Sequence, residues 1–212
     1  MDNNVKESYN VKSATIIKNL KKRHMDGYYC ETKEEAKELV MSLIKQDDVV
    51  SWGGTSTIDE MGIKETLRNK NIQVIDRDTA KTPEERKQLM KNALTADVFL
   101  ASTNAITMNG ELVNIDGSGN RLAAYCYGPD SVVVVAGMNK VVRDLESAMK
   151  RVRTDACVPN AIRFNLKTPC AVTGICAECL SDETICSQIL VTRNSKPDNR
   201  IKVILVGEEL GF

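Results

Sequence analysis

Histidine is almost missing from this chain: His24 is the single one among 212 residues. Ser-His-Asp and Cys-His arrangements would each have to recruit that residue, and it sits in a basic stretch, KNLKKRHMDG, that reads as solvated helix. Proton transfer then falls to carboxylates, lysines or thiols. A surplus of either charge is also missing, since 29 Lys and Arg balance 29 Asp and Glu. Proteins that grip a polyphosphate backbone carry a basic excess, so nucleic acid is not an expected partner. Long apolar runs are absent too. The longest, VVVVAGM from Val132, is far too short for a membrane span. The opening MDNNVKESYN has no apolar core of a secretion signal. These absences point to the cytoplasm, a reducing compartment in which disulfides are not expected.

What is present suits a globular chain: 42% hydrophobic and 27% charged residues, enough to build a sizeable core without staples. Residues 1–46 read as a helical region. Within it, Val11, Ala14, Ile16, Ile17 and Leu20 give 3–25 a modest apolar face, GYYCET forms a break, and Thr32 caps a second helix with Glu35 three residues on. DVVSW, NIQVID, DVFLAS and SVVVVAG then alternate with helical patterns, one of them opened by Pro83. That alternation predicts an α/β fold, a Rossmann-like, mostly parallel sheet flanked by helices. NAITMNGELVNID adds a hairpin turning at Asn109-Gly110. The stretch 157–186 loses periodicity and reads as an irregular Cys-rich insertion within a single domain, 1–212. SQILVTR and RIKVILVG close the chain as a strand pair around NSKPDN.

Three loops are candidates for one ligand. Gly53, Gly54, Thr55 and Ser56 lie between a strand and a helix, where glycines admit close approach and free amides favour an anion. Thr57 and Glu60 also fit a capping box, so a plain tight turn with a good cap explains part of this stretch. Asp116-Gly117-Ser118-Gly119-Asn120-Arg121 departs from the dinucleotide fingerprint because Leu122 stands at the third glycine, which excludes an ordinary nicotinamide site. Its Asn120 is a candidate cap and Arg121 a fixed positive charge, although a glycine turn with a surface arginine fits equally well. The third loop holds Lys140. If the strands starting at Val49, Val98 and Val132 are parallel, their loops share one edge, and Thr103, Asn104, Arg121 and Lys140 converge with Gly53 and Gly54 on a phosphate, carboxylate or nucleotide. Asp59, Glu60 and Asp116 are the acid/base candidates, with capping as their plainer role.

Seven cysteines remain, and four fall within TPCAVTGICAECLSDETIC. Cys170, Cys176, Cys179 and Cys186 have the spacing C-x5-C-x2-C-x6-C. Thiolates select soft metals, so an iron–sulfur cluster of the 4Fe-4S type and zinc are both candidates. One knuckle rather than two leans toward the cluster. Redox-labile thiols without metal, with Cys176 and Cys179 forming a reversible disulfide, stay open. Cys157 is a possible substitute ligand, while Cys30 and Cys126 read as packed thiols.

SWGGTSTIDEMGI, ADVFLASTNAITMNGELVNIDGSGNRLAA, VVVVAGMNKVVRDLESAMKRV and the cysteine segment together resemble the LUD-domain (lactate utilisation) proteins, in particular the stand-alone clostridial type. The resemblance runs from about residue 10 to 212. It implies a fold similar to the glucosamine-phosphate isomerase, ribose-phosphate isomerase and CoA-transferase superfamily. It also implies a role in oxidation of lactate or a similar 2-hydroxy acid, with an iron–sulfur cluster on Cys170, Cys176, Cys179 and Cys186. The ligand loops then map onto Gly53 to Ser56, Asn104 to Thr107 and Gly119 to Arg121. The partners implied are a small anionic metabolite or nucleotide and an electron-transfer protein, and a homo-oligomer is compatible. An isomerase-like or acyl-CoA-handling enzyme with structural zinc, and a non-catalytic redox sensor, are the alternatives.

Overall fold

The computed structural model describes residues 2–212. Helix α1 (Asn3–Lys22) is capped by Asp2, whose side chain accepts from Asn4 N, and it buries Ile16 and Leu20. Strand β1 (Asp26–Cys30) follows, then α2 (Lys33–Ser42), β2 (Val49–Trp52), α3 (Ser56–Glu60), α4 (Ile63–Asn69), β3 (Gln73–Ile75), α5 (Pro83–Asn92) and β4 (Val98–Ala101). The middle holds β5 (Ala105–Thr107), β6 (Leu112–Asp116), α6 (Asn120–Cys126), β7 (Ser131–Gly137) and β8 (Val141–Val142). The last part comprises α7 (Leu145–Arg151), a π-helical turn at Val152–Ala156, α8 (Cys157–Arg163), α9 (Pro169–Thr173), β9 (Gln188–Thr192) and β10 (Ile201–Val206).

Six strands form one sheet in the order β1-β10-β7-β4-β2-β3, and every pairing is parallel. A parallel strand covered on both faces reads as a continuous apolar run, which is why β7 is VVVVA. Alternate residues feed two cores. Val133, Val135, Leu100, Ile204 and Trp52 pack with Ala36, Val40, Ile58, Ile63 and Leu67 on one face. Val132, Val134, Phe99, Val203 and Leu205 meet Ile16 and Leu20 of α1 on the other, together with Ile106, Leu112 and Tyr125. Each fully buried aliphatic here is worth about 1.5–3 kcal/mol.

A second sheet, β8-β5-β6-β9, is mixed, with β5–β6 and β6–β9 antiparallel and β5–β8 parallel. The β5–β6 hairpin turns at Asn109-Gly110, and Gly110 takes φ +86°, a conformation that favours glycine. Ala105, Val113 and Ile115 of this sheet bury against Ala148, Val152 and Cys157.

Several expectations change. GYYC is an edge strand rather than a break, hydrogen-bonded to β10. The last two strands do not pair with each other: β9 joins β6, whereas β10 enters the large sheet between β1 and β7. The NSKPDN loop carries the chain across, with Ser195 N donating to Arg23 O at 2.9 Å and Asn199 N to His24 O at 3.0 Å. The Cys-rich stretch contains α8 and α9 rather than being wholly irregular. Thr32 caps α2 and Pro83 opens α5 in its first turn, as the sequence suggests, with Thr82 as the N-cap of α5 accepting from Glu85 N. Thr57 and Glu60 form no capping box; the N-cap of α3 is Thr55, with no side-chain cap bond. No helix among the described residues is long and apolar enough to cross a membrane.

Candidate functional site

Strands β2, β4 and β7 lie side by side and parallel, so the loops after them open on the same sheet edge. A cavity of about 310 Å³ sits there, closed on its other sides by α5, α8 and the β6–α6 loop. Arg77, Arg86, Arg121, Lys140 and Arg163 line it, against one carboxylate side chain among the described residues, Asp116.

The cations are not equivalent. Arg121 is 7% exposed, and its guanidinium is fully engaged. It reaches Asp116 Oδ1 at 2.7 Å, Asn104 Oδ1 at 2.7 Å, Asn114 Oδ1 at 2.9 Å, Ser102 O at 2.8 Å and Ile115 O at 3.0 Å. Arg121 thus joins the two sheets, and Asp116 neutralises it. Arg86 is held by Asp78 at 3.1 Å. Arg163 donates to Ser56 Oγ at 2.9 Å and to Asn160 Oδ1 at 2.8 Å, with no carboxylate partner among the described residues.

Arg77 is buried enough that desolvation lowers its pKa, with Asp78 opposing and Arg86 reinforcing the shift. Its Nε is buried without a hydrogen-bond partner, and so is the hydroxyl of Thr55, a residue 7% exposed. Buried polar groups normally find partners, so two orphans on one cavity wall mark a place for a polar ligand. Gly54 makes the approach possible: a Cβ there would lie 2.5 Å from Arg77 Nη2.

Lys140 is 2% exposed. Its Nζ donates to Thr57 Oγ1 and Ser102 Oγ, both at 2.9 Å. Burial, then the nearby Arg151 and Arg121, push its pKa down to about 7, against a smaller upward pull from Glu60.

The remaining sequence candidates divide. Gly54, Thr55, Ser56, Thr103, Asn104, Asn120, Arg121 and Lys140 all line the cavity. Thr103 Oγ1 is spent on Ala105 O and Val113 O, and Asn104 Oδ1 also accepts from Ile115 N, so both brace the loop. Gly53 leaves room for the Arg121 side chain, which a Cβ would meet at 3.1 Å. Gly119, rather than Asn120, is the N-cap of α6, at φ +75°. The acid/base candidates are all occupied: Asp59 with Lys64 at 2.7 Å, Glu60 with Gly211 N at 3.0 Å, Asp116 with Arg121. Sequence reasoning missed Arg77 and Arg163, which sit in polar stretches resembling surface turns and helix ends and give no local signal.

Cys157 is buried at 4% exposure, lines the cavity and has its sulfur 3.3 Å from that of Cys186. The Cys186 contact and then burial push Cys157 up, with Cys176 and Cys170 near enough to add to it. The same contact pushes Cys186 down to about 7, burial opposing. Cys170 is buried beside Thr168 Oγ1 at 3.3 Å, while Cys176 and Cys179 are half-buried. Cys186, Cys176 and Cys170 thus lie within electrostatic reach of Cys157, whereas Cys179 contacts Ser181 Oγ at 3.7 Å; in kind, four thiols suit a soft metal centre. No group of three His, Cys, Asp or Glu side chains among the described residues is drawn up around a single point. Cys30 packs in the core as expected, whereas Cys126 is exposed.

Fold and site together define an α/β domain with a cationic cavity at the carboxyl edge of a parallel sheet, walled in part by cysteine. A family profile for the LUD domain matches residues 14–206, and the chain belongs to that family, which is associated with lactate utilisation. Among solved structures, a DUF162-family protein of Deinococcus radiodurans is similar over 95% of this chain and 98% of its own, at 12% identity and TM-score 0.50, a likeness of fold. Weaker partial likenesses include ribose 5-phosphate isomerase A of Methanocaldococcus jannaschii (19% identity, 61% of this chain and 66% of that one, TM-score 0.34). Another is eIF2B beta of Chaetomium thermophilum (15%, 55% and 45%, TM-score 0.40). No curated protein matches the chain.

Proposed function

We propose that this protein is a redox-linked LUD domain that binds a small organic acid of the 2-hydroxy or 2-oxo class beside a thiolate-held iron–sulfur cluster. The observation that carries this reading is Cys157, which lines the cationic cavity and touches Cys186 at 3.3 Å, so that ligand and thiol cluster share one wall. Arg77 and Arg163 supply charge for a carboxylate, and the orphaned Thr55 hydroxyl a further polar contact. Cys170, Cys176, Cys179 and Cys186 would hold the cluster, with Cys157 beside them; such a centre supplies one-electron transfer. The residues around it bind and orient the acid, and the apolar Ile115, Phe164 and Ile185 limit water in the cavity.

The test is purification without oxygen, followed by iron, acid-labile sulfide and visible-absorbance analysis. About four irons and four sulfides per chain, lost together in a Cys170→Ser/Cys186→Ser double variant, is the expected result. Zinc in their place would move the reading to the isomerase-like alternative. Protein free of both metals, with Cys176 and Cys179 reversibly oxidised, would move it to the sensor.

A further inference from the structure

Lys140 is placed at unusual cost. Its ammonium would be buried at the cavity wall with two hydroxyls as partners, Thr57 Oγ1 and Ser102 Oγ, and no carboxylate within ion-pair distance among the described residues. The charged groups acting on it are Arg151 of α7, Arg121 of α6 and Glu60 of α3. Two of these repel a cation, and Glu60 already accepts from Gly211 N. A methionine would fill the same space without taking a charge out of water, a transfer that hydrogen bonds alone do not offset for an incompletely paired ion. Strongly perturbed groups of this kind concentrate where the perturbation is used.

We propose that Lys140 is a nucleophilic amine that captures the carbonyl of a small 2-oxo acid in the cavity as an imine. The inference rests on the organic-acid reading of the cavity and deepens it by assigning the carbonyl-bearing member of the pair. The neutral nitrogen adds to the carbonyl carbon, forming the C–N bond while one amine hydrogen passes to the carbonyl oxygen. The resulting hydroxyl leaves as water with the second amine hydrogen, and C=N forms. No oxidant or reductant is consumed, and hydrolysis reverses the step. Arg77 and Arg163 line the same cavity and offer charge to the neighbouring carboxylate, and the Thr57 and Ser102 hydroxyls hold Nζ in place.

At pH 7 an ordinary lysine is neutral about one part in a few thousand, while an amine of pKa about 7 is half neutral, so free amine is about a thousandfold more abundant. The experiment treats the full chain with glyoxylate and borohydride between pH 6 and 9 and maps the reduced adducts by peptide mass spectrometry. Expected is an adduct at Lys140 about tenfold or more above any exposed lysine, since restricted access offsets part of that thousandfold. It should rise through pH 7, disappear in Lys140→Arg, and be suppressed by oxalate, which has the carboxylates without the electrophilic carbonyl. Oxalate binding is measured in parallel by calorimetry on the wild-type chain. Oxalate that binds while Lys140 stays unmodified overturns this inference and leaves the organic-acid reading standing. Failure of oxalate to bind overturns that reading and the imine with it.

Discussion

Replacing Lys140 with Met preserves length and apolar stem but removes a buried amine whose pKa falls from 10.5 to about 7 on folding. At about 1.4 kcal/mol for each tenfold loss of proton affinity, that fall is worth about 5 kcal/mol of stability forgone when the lysine is protonated in the unfolded chain. The sign follows from proton counts. Between pH 7 and 10.5 the unfolded state binds the extra proton, so wild-type stability rises with pH across that window, and below 7 both states carry it. Met forfeits two hydrogen bonds to Thr57 and Ser102, about 1 kcal/mol each. Those hydroxyls lie 3.2 Å apart and can pair with each other, which keeps the loss small. Lys140→Met should therefore be about 2–4 kcal/mol more stable than wild type near pH 7 and about 1–2 kcal/mol less stable above pH 10.5, the difference changing sign inside the window. Urea unfolding of both proteins at stepped pH, under reducing conditions, measures it, and thiol titrations common to both cancel in the difference. A difference that stays constant from pH 7 to 10.5 would refute the argument, because it would mean that the amine is equally protonated in both states.

Gly54→Ala should leave the unfolding midpoint nearly unchanged yet weaken oxalate binding about tenfold or more, since the new methyl would lie 2.5 Å from Arg77 Nη2 and push it aside; calorimetry decides, and unaltered affinity would count against the cavity as the site. Arg121→Lys should cost about 3 kcal/mol or more, because an ammonium cannot replace a guanidinium shared among Asp116, Asn104, Asn114 and two carbonyls; a loss below 1 kcal/mol in denaturant titration would contradict the bracing role. Arg77→Met should lower oxalate affinity about tenfold and flatten its salt dependence with little loss of stability, since the Arg77 Nε lacks a hydrogen-bond partner and meets Asp78 only at 3.8 Å; an unchanged salt slope in calorimetry would exclude Arg77 from anion binding.

Much of this architecture was legible because parallel strands buried on both faces read as short apolar runs: VVVVA is β-branched and, like VFLA, is bounded by helical patterns, which favours a place inside a sheet. Given parallel strands the shared loop edge followed, and with it the expected convergence of Thr103, Asn104, Arg121 and Lys140 on Gly53 and Gly54, of which all but Gly53 line the cavity. Strand β1 escaped notice because it is an edge strand with Asp and Gly at its start and only partial burial, a composition that also serves a turn. The last two strands looked like a hairpin because a six-residue polar link between alternating runs usually is one. What separates them is contact with Arg23 and His24, more than 170 positions upstream, which no local pattern encodes. At the site, residue types were readable and their states were not. Arg121 and Lys140 are both cations next to loops, yet one is paired with Asp116 and the other has no counter-ion among the described residues, a distinction that exists only once the side chains are packed.

The placement of β10 between β1 and β7 bears on how the molecule is made on the ribosome. Asp26–Cys30 emerges from the exit tunnel early, but its ladder partner, Ile201–Val206, is synthesised about 175 residues later. Until then the nascent chain carries two unsatisfied ladder edges, on β1 and on the strongly apolar β7. Closure of the large sheet is therefore a late event, and a stalled or truncated translation product ending before residue 201 would expose VVVVA as an adhesive surface for chaperones or for its own copies.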